Sequence, residues 1–145
     1  MKPIQLLKKT NQKDLETSKN VEVVDLTKNR RKKIRGYNGE PVIIRGGIKT
    51  RTKTVDQKGN NSYHTQFVYP RDKSDIGKKL NDIHIKVNCD CGKFIYYYEV
   101  ALNKNNIADI IYSNGDYPEN NNPTYQISLC KHLVKVLTLV VNKGI

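Results

Sequence analysis

Cys89-Asp90-Cys91 and Cys130-Lys131-His132 constrain this chain more than anything else in it. They are two tight pairs of soft metal ligands with 38 residues between them, and all three cysteines of the chain fall in these pairs. Thiolate and imidazole are the ligands zinc prefers. Four of them close a tetrahedral site of the structural kind, with no position left for a catalytic water. A Cys-x-Cys pair cannot comfortably bridge to itself, because a disulfide wants its two Cα atoms ~5.5 Å apart with a defined torsion. An odd cysteine count without a secretory leader also argues against a disulfide scaffold.

The second pair dictates its own local structure. Two residues apart on a helix is about 200° around the axis, so Cys130 and His132 cannot both converge from a helix body. They converge if Cys130 precedes the helix and His132 lies in its first turn, with Ser128 as N-cap. The expected metal ligands are therefore Cys89, Cys91, Cys130 and His132, and the expected metal is zinc. Two other readings stand beside this one. In the first, three buried thiols accompany a surface histidine. In the second, a Cys/His nucleophilic dyad leaves the second member of each pair without a role.

Charge divides the chain in two. Residues 1–54 carry 15 Lys+Arg against 5 Asp+Glu, and residues 55–145 carry 11 against 9. The densest run is Lys28-Asn29-Arg30-Arg31-Lys32-Lys33-Ile34-Arg35, with six cations in eight residues. This asymmetry predicts a basic, extended N-terminal arm over 1–41 and a zinc-binding sheet-and-helix domain over 42–145. Within the arm, a short helix fits Gln12–Lys19 and an extended segment fits Val21–Leu26. Gly36, Asn38, Gly39 and Pro41 break any regular element. Lys28, Arg30, Arg31, Lys32, Lys33 and Arg35 are the residues expected to meet a partner or a nucleic acid.

Beyond residue 42 the period is two. Ile48, Thr50, Thr52 and Thr54 alternate with Lys49, Arg51 and Lys53, a strand with one cationic face. A loop over Asp56–Asn61 leads to a strand at Tyr63–Tyr69, which Pro70 ends. Ile83, Ile85 and Val87 form a third strand that delivers the chain to Cys89. His84 then points to the opposite face, so His132 is the better fourth ligand, and His64 reads as a strand-surface residue. Phe94–Leu102 reads two ways: three tyrosines in a row favour a strand, and the spacing of Phe94, Tyr97, Tyr98, Ala101 and Leu102 favours a helix, the preferred reading. Ile107–Tyr112 reads as extended. Leu129, Leu133, Val136, Leu137 and Val140 make one apolar helix face that stops at Gly144. The fold class expected is α+β, a small antiparallel β-sheet with a zinc knuckle packed on a C-terminal helix.

Cys-x-Cys followed by Cys-x-His at the opening of an apolar helix resembles the SWIM-type zinc finger. The segments that carry the resemblance are Val87–Phe94 and Leu129–Leu137. The wider pattern over residues 61–140 is similar to small phage-encoded proteins with an expanded SWIM-like motif. There a strand enters the knuckle, an aromatic segment follows (here Phe94–Leu102), and an Asn-Pro loop (here Asn122-Pro123) leads to Cys-Lys-His. The insert between the pairs is longer than in most such fingers, and Gly92 stands where proline is common. The resemblance implies DNA or protein binding, and its phage members imply a virion component near the portal or head–tail connector.

The chain holds no phosphate-binding Gly loop, no Ser-His-Asp set and no paired acids with metal-ligand spacing. Glu99 and Asp109 are too isolated to form an acid/base pair. No apolar stretch reaches the length of a membrane span. The function expected is a non-enzymatic, zinc-stabilised structural subunit of a large assembly, partnered by other protein subunits, assembled in a host cytoplasm and carried in a virion. The other expectation is a DNA- or RNA-binding zinc-finger protein that uses the basic run. Neither calls for a membrane or a small-molecule substrate.

Overall fold

The computed structural model describes all 145 residues. Two short helices open the chain, α1 (Pro3–Lys9) and α2 (Gln12–Thr17). Six strands follow: β1 (Val21–Lys28), β2 (Arg31–Arg35), β3 (Pro41–Arg45), β4 (Ile48–Val55), β5 (Asn61–Pro70) and β6 (Ile85–Cys89). A π-helical turn at Phe94–Tyr98 runs into α3 (Glu99–Lys104), and α4 (Lys131–Lys143) comes last. The main sheet is antiparallel with strand order β1-β4-β5-β6, and β2 and β3 form a separate hairpin. This is the α+β architecture expected, an antiparallel sheet with a C-terminal helix. No helix is long and apolar enough to cross a membrane.

The alternation read in β4 places its side chains. Ile48, Thr50, Thr52 and Thr54 are buried, while Lys49, Arg51 and Lys53 point outward. Against the inner face lies α4. Its Leu133, Val136, Leu137 and Val140 pack with Ile48, Val68, Ile85 and Val87 in one core. Each such side chain contributes about 1.5–3 kcal/mol of transfer free energy on full burial. Gly144 takes the left-handed conformation at φ 65°, and its N–H bonds to Val140 O, the helix stop its position predicts. The other face is covered by the β2–β3 hairpin and residues 107–112, which bury Ile44 and Ile111 against Phe67 and Tyr69. Both sides of β5 are therefore buried from Gln66 to Pro70.

Residues 1–41 do not form an extended arm. Leu6 is fully buried within the main core. β1 pairs with β4 from Val21↔Thr54 to Lys28↔Ile48, with one irregularity between Val23 and Asp25. The Asn11 side chain caps α2 by accepting from Asp14 N at 2.9 Å. Asp14 is buried, and its carboxylate accepts from Lys93 Nζ at 2.9 and 3.0 Å and from Tyr98 Oη at 3.1 Å. The physical reason is tertiary. Ile4, Leu6 and Leu7 make too short an apolar pattern to mark a stable helix alone, but the surface of α4 gives α1 something to bury against.

The basic run is likewise ordered. Lys28–Arg30 crosses from β1 to β2, and Arg31–Arg35 pairs with Pro41–Arg45 over a turn at 36–40. Two further expectations change, and two gain detail. The third strand begins at Ile85 rather than Ile83, which follows a 3-10 turn. Phe94–Leu102 is helical as read, but through the π turn. Ile107–Tyr112, read as extended, joins no sheet. Its end is held by the fully buried Glu99 carboxylate, which accepts from Ile111 N (2.9 Å), Tyr112 N (3.1 Å) and Ser113 N (2.9 Å). Ser128 is not the cap of α4. Cys130 occupies that position, and Ser128 Oγ accepts from Asn11 N and Nδ2 at 3.2 and 3.1 Å.

Packing of the N-terminal segment can be weighed directly. Leu6→Ala is expected to cost about 2–5 kcal/mol, as for a fully buried leucine elsewhere. Urea unfolding reads this, and a wild-type midpoint would contradict the burial of α1.

Candidate metal centre

Two elements deliver the site. β6 buries Ile85, Val87 and then Cys89 on its inner face, so Cys89 arrives as the continuation of a hydrophobic row. The chain turns at Asp90, and Cys91 follows at the mouth of the helical run that contains Phe94. Phe94 N donates to Cys91 Sγ at 3.4 Å. On the other side Cys130 has extended backbone (φ −70°, ψ 162°) just before α4, and His132 lies in the first turn. This is the arrangement that the Cys-x-His spacing required.

The four side chains come together. One ligand atom from each of Cys89, Cys91, Cys130 and His132 can be chosen so that all lie within 4.8 Å of one another. All four residues are buried, the most exposed at 4%. A tetrahedron with ~2.3 Å metal–sulfur bonds has sulfur–sulfur edges of roughly 3.8 Å, so the cluster is near ligand spacing as it stands. His132 Nδ1 lies 3.9 Å from Cys89 Sγ, and its Nε2 is buried with no hydrogen-bond partner. A ring with no oxygen or nitrogen partner at either nitrogen, facing three sulfurs, fits a metal ligand better than it fits a packed core residue. The cluster can hold a metal ion.

Three residues around it escape a sequence reading. Asp90, between the two cysteines, accepts from Thr65 N at 3.0 Å and meets His64 Nδ1 at 3.0 Å, while its own amide donates to Thr65 O at 3.2 Å. The knuckle is thereby clamped to β5. The His64 ring packs 4.7 Å from the His132 ring, so it is not simply a strand-surface residue. Gln66 is fully buried. It accepts from Thr50 Oγ1 at 2.9 Å and donates to Thr52 Oγ1 at 2.8 Å and to Cys89 Sγ at 3.6 Å. The one available signal was the alternation in β5, which puts His64 and Gln66 on the same face as Val68.

Sulfur electrostatics are uneven. Burial pushes the Cys89 and Cys130 thiols well above their ordinary value. Cys91 moves the other way, because the thiols of Cys130 and Cys89 and the Phe94 amide stabilise its charge. Of the three, Cys91 is the one its surroundings favour as thiolate.

His84 stays outside the cluster. Its Nδ1 is buried without a partner, and burial lowers its pKa. The six cations of the basic run are elsewhere too. Lys28 ends β1, Arg30 lies in the crossing to β2, Arg31, Lys32, Lys33 and Arg35 are exposed on β2, and none of the six forms a salt bridge. Tyr98 is core, whereas Tyr96 and Tyr97 are exposed. No protein-family model, curated protein or solved structure matches the chain.

Thiols whose pKa values are raised by burial hold their protons at neutral pH, and a metal must displace them. Affinity for Zn²⁺ should therefore fall as pH falls, by about tenfold per pH unit for each proton displaced. Competition with a chromophoric chelator at pH 8 and pH 6 measures this, and a pH-independent affinity would speak against ligation by Cys89 and Cys130.

Proposed function

We propose that this protein is a non-enzymatic structural subunit held together by one zinc ion at Cys89, Cys91, Cys130 and His132. The observation that carries the reading is the closed set of four buried ligand atoms, which joins the end of β6 to the start of α4. Three sulfurs and one imidazole form a donor set that selects zinc over the hard cations. With four protein ligands and no exposed coordination position, the ion has a structural role. Such sites contribute ~10–16 kcal/mol of apparent binding free energy near neutral pH in small fingers. That matters in a domain of this size, whose main core lies between the sheet and α4.

Taken with the SWIM-like pattern of residues 61–140, the site supports a place among zinc-stapled subunits of a large assembly, with a virion component of the portal or connector region as the specific form. In this reading the exposed β2–β3 hairpin, rather than a free arm, is the part offered to neighbouring protein subunits. A second reading is a DNA- or RNA-binding protein. The unpaired, exposed cations of β2 favour it, since phosphate neutralisation by such residues releases counterions. Neither reading involves a membrane or a small-molecule substrate.

The metal assignment has a paired test. Cys130→Ser should lose zinc and loosen the start of α4, whereas His84→Ala should keep one zinc per chain. Metal analysis of the two purified variants decides, and full zinc in Cys130→Ser would remove that ligand from the set. The assembly reading predicts that this chain sediments from its native source with a particle of megadalton size whether or not nuclease is added. Release by nuclease would favour the nucleic-acid reading instead.

A further inference from the structure

The end of α4 remote from the cysteines borders a cleft of about 640 Å³. The two sites lie at opposite ends of the thirteen-residue helix α4, which is about 20 Å long, so they can be altered independently. Its walls come from regions far apart in sequence: the crossing after β1, the turn before β4, residues 76–80 and the end of α4. Two main-chain bonds lock the first pair together, Asn29 N to Gly47 O at 2.9 Å and Gly46 N to Arg30 O at 3.0 Å. Position 47 must be glycine there. Its φ is +76°, and a Cβ would overlap the backbone of Val68 and Tyr69.

Lys28, Arg30, Lys78, Lys79 and Lys143 line this cleft, and no Asp or Glu side chain does. Of the five, only Lys78 is in a salt bridge, with Asp75 at 3.0 Å. Four unpaired cations around one concave surface raise its positive potential and attract a polyanion. On the same lining, Asn29 Nδ2 is a buried donor without an acceptor. At Gly77 (φ +95°) nothing lies within 4 Å of where a Cβ would sit, which leaves the backbone open to close approach.

We propose that this cleft takes the sugar–phosphate backbone of duplex nucleic acid, with Lys28, Arg30, Lys79 and Lys143 against phosphates. A polymer fits better than a single phosphate, because the cations continue along the adjoining strand β2 through Arg31, Lys32, Lys33 and Arg35. A duplex fits better than a single strand, because no aromatic side chain lines the cleft to stack a base. The inference rests on the nucleic-acid reading given above and moves its centre from a linear run to a folded cleft. Lys79 and Lys143 enter it from parts of the chain where the sequence shows no charge cluster.

The experiment is fluorescence anisotropy with a short mixed-sequence duplex DNA across a salt series, using the full chain. The four phosphate contacts of the cleft contribute about −3.6 to the log–log salt slope. The double variant Lys79→Gln, Lys143→Gln should lower the magnitude of that slope by about 2 and weaken binding, with an unchanged melting temperature. A wild-type slope in this variant would overturn the cleft while leaving the nucleic-acid reading intact, as would a loss of slope confined to Lys32→Gln, Lys33→Gln. Absence of any duplex binding by the wild-type chain at low salt would remove both.

Discussion

Everything in this fold turns on the meeting of two elements inside the core, the C-terminal end of β6 and the N-terminal end of α4. Cys89, Cys91, Cys130 and His132 sit at that junction, buried among Leu129, Leu133 and Val87. Three thiols and an imidazole make a poor core by themselves, since polar groups removed from water need partners. The neighbours supply only some of these. Gln66 donates to Cys89 and the Phe94 amide donates to Cys91, while His132 Nε2 has nothing. In the proposed zinc form the ion partners the three sulfurs and the His132 nitrogen that faces them, Nδ1, 3.9 Å from Cys89 Sγ, and turns a weak point into the tie between sheet and helix.

The first twenty residues are organised around the same junction. α1 packs Leu6 into the core, and α2 presents Asp14 to Lys93 and Tyr98, which flank the knuckle. Asn11 reaches Ser128, two residues ahead of Cys130. A segment that looks like the root of a charged tail thus braces both ligand-bearing stretches. Removing one partner of the Asp14–Lys93 pair would leave a charge stranded in a largely dry setting, which is costly even though Lys93 itself is partly exposed. The charge excess is therefore displayed on ordered elements, the β2–β3 hairpin and the crossing after β1.

What could be read from the sequence was what depends on short-range periodicity and ligand chemistry. The alternation of β4, the apolar face of α4 and the glycine at its end are local signals, and the Cys/His spacing carries its own geometry. The missed features depend on contacts between distant segments. α1 exists because α4 lies beneath it. Residues 111–113 are held by Glu99 rather than by strand pairing, and a lone carboxylate in a helical pattern gives no hint that three backbone amides will converge on it. The basic run looked like an arm because charge density masks the hairpin, whose partner strand Pro41–Arg45 is short and opens on a proline. His64 and Gln66 were on the correct face, but only the register of β5 with β6, Gln66↔Cys89, reveals that they abut the site.

The most direct test of the zinc staple is X-ray absorption at the zinc edge on protein purified without added metal. The account predicts one zinc per chain with a first shell of three sulfurs at about 2.3 Å and one nitrogen at about 2.0–2.1 Å. A shell dominated by oxygen and nitrogen, or a folded protein that retains no zinc at all, would contradict it.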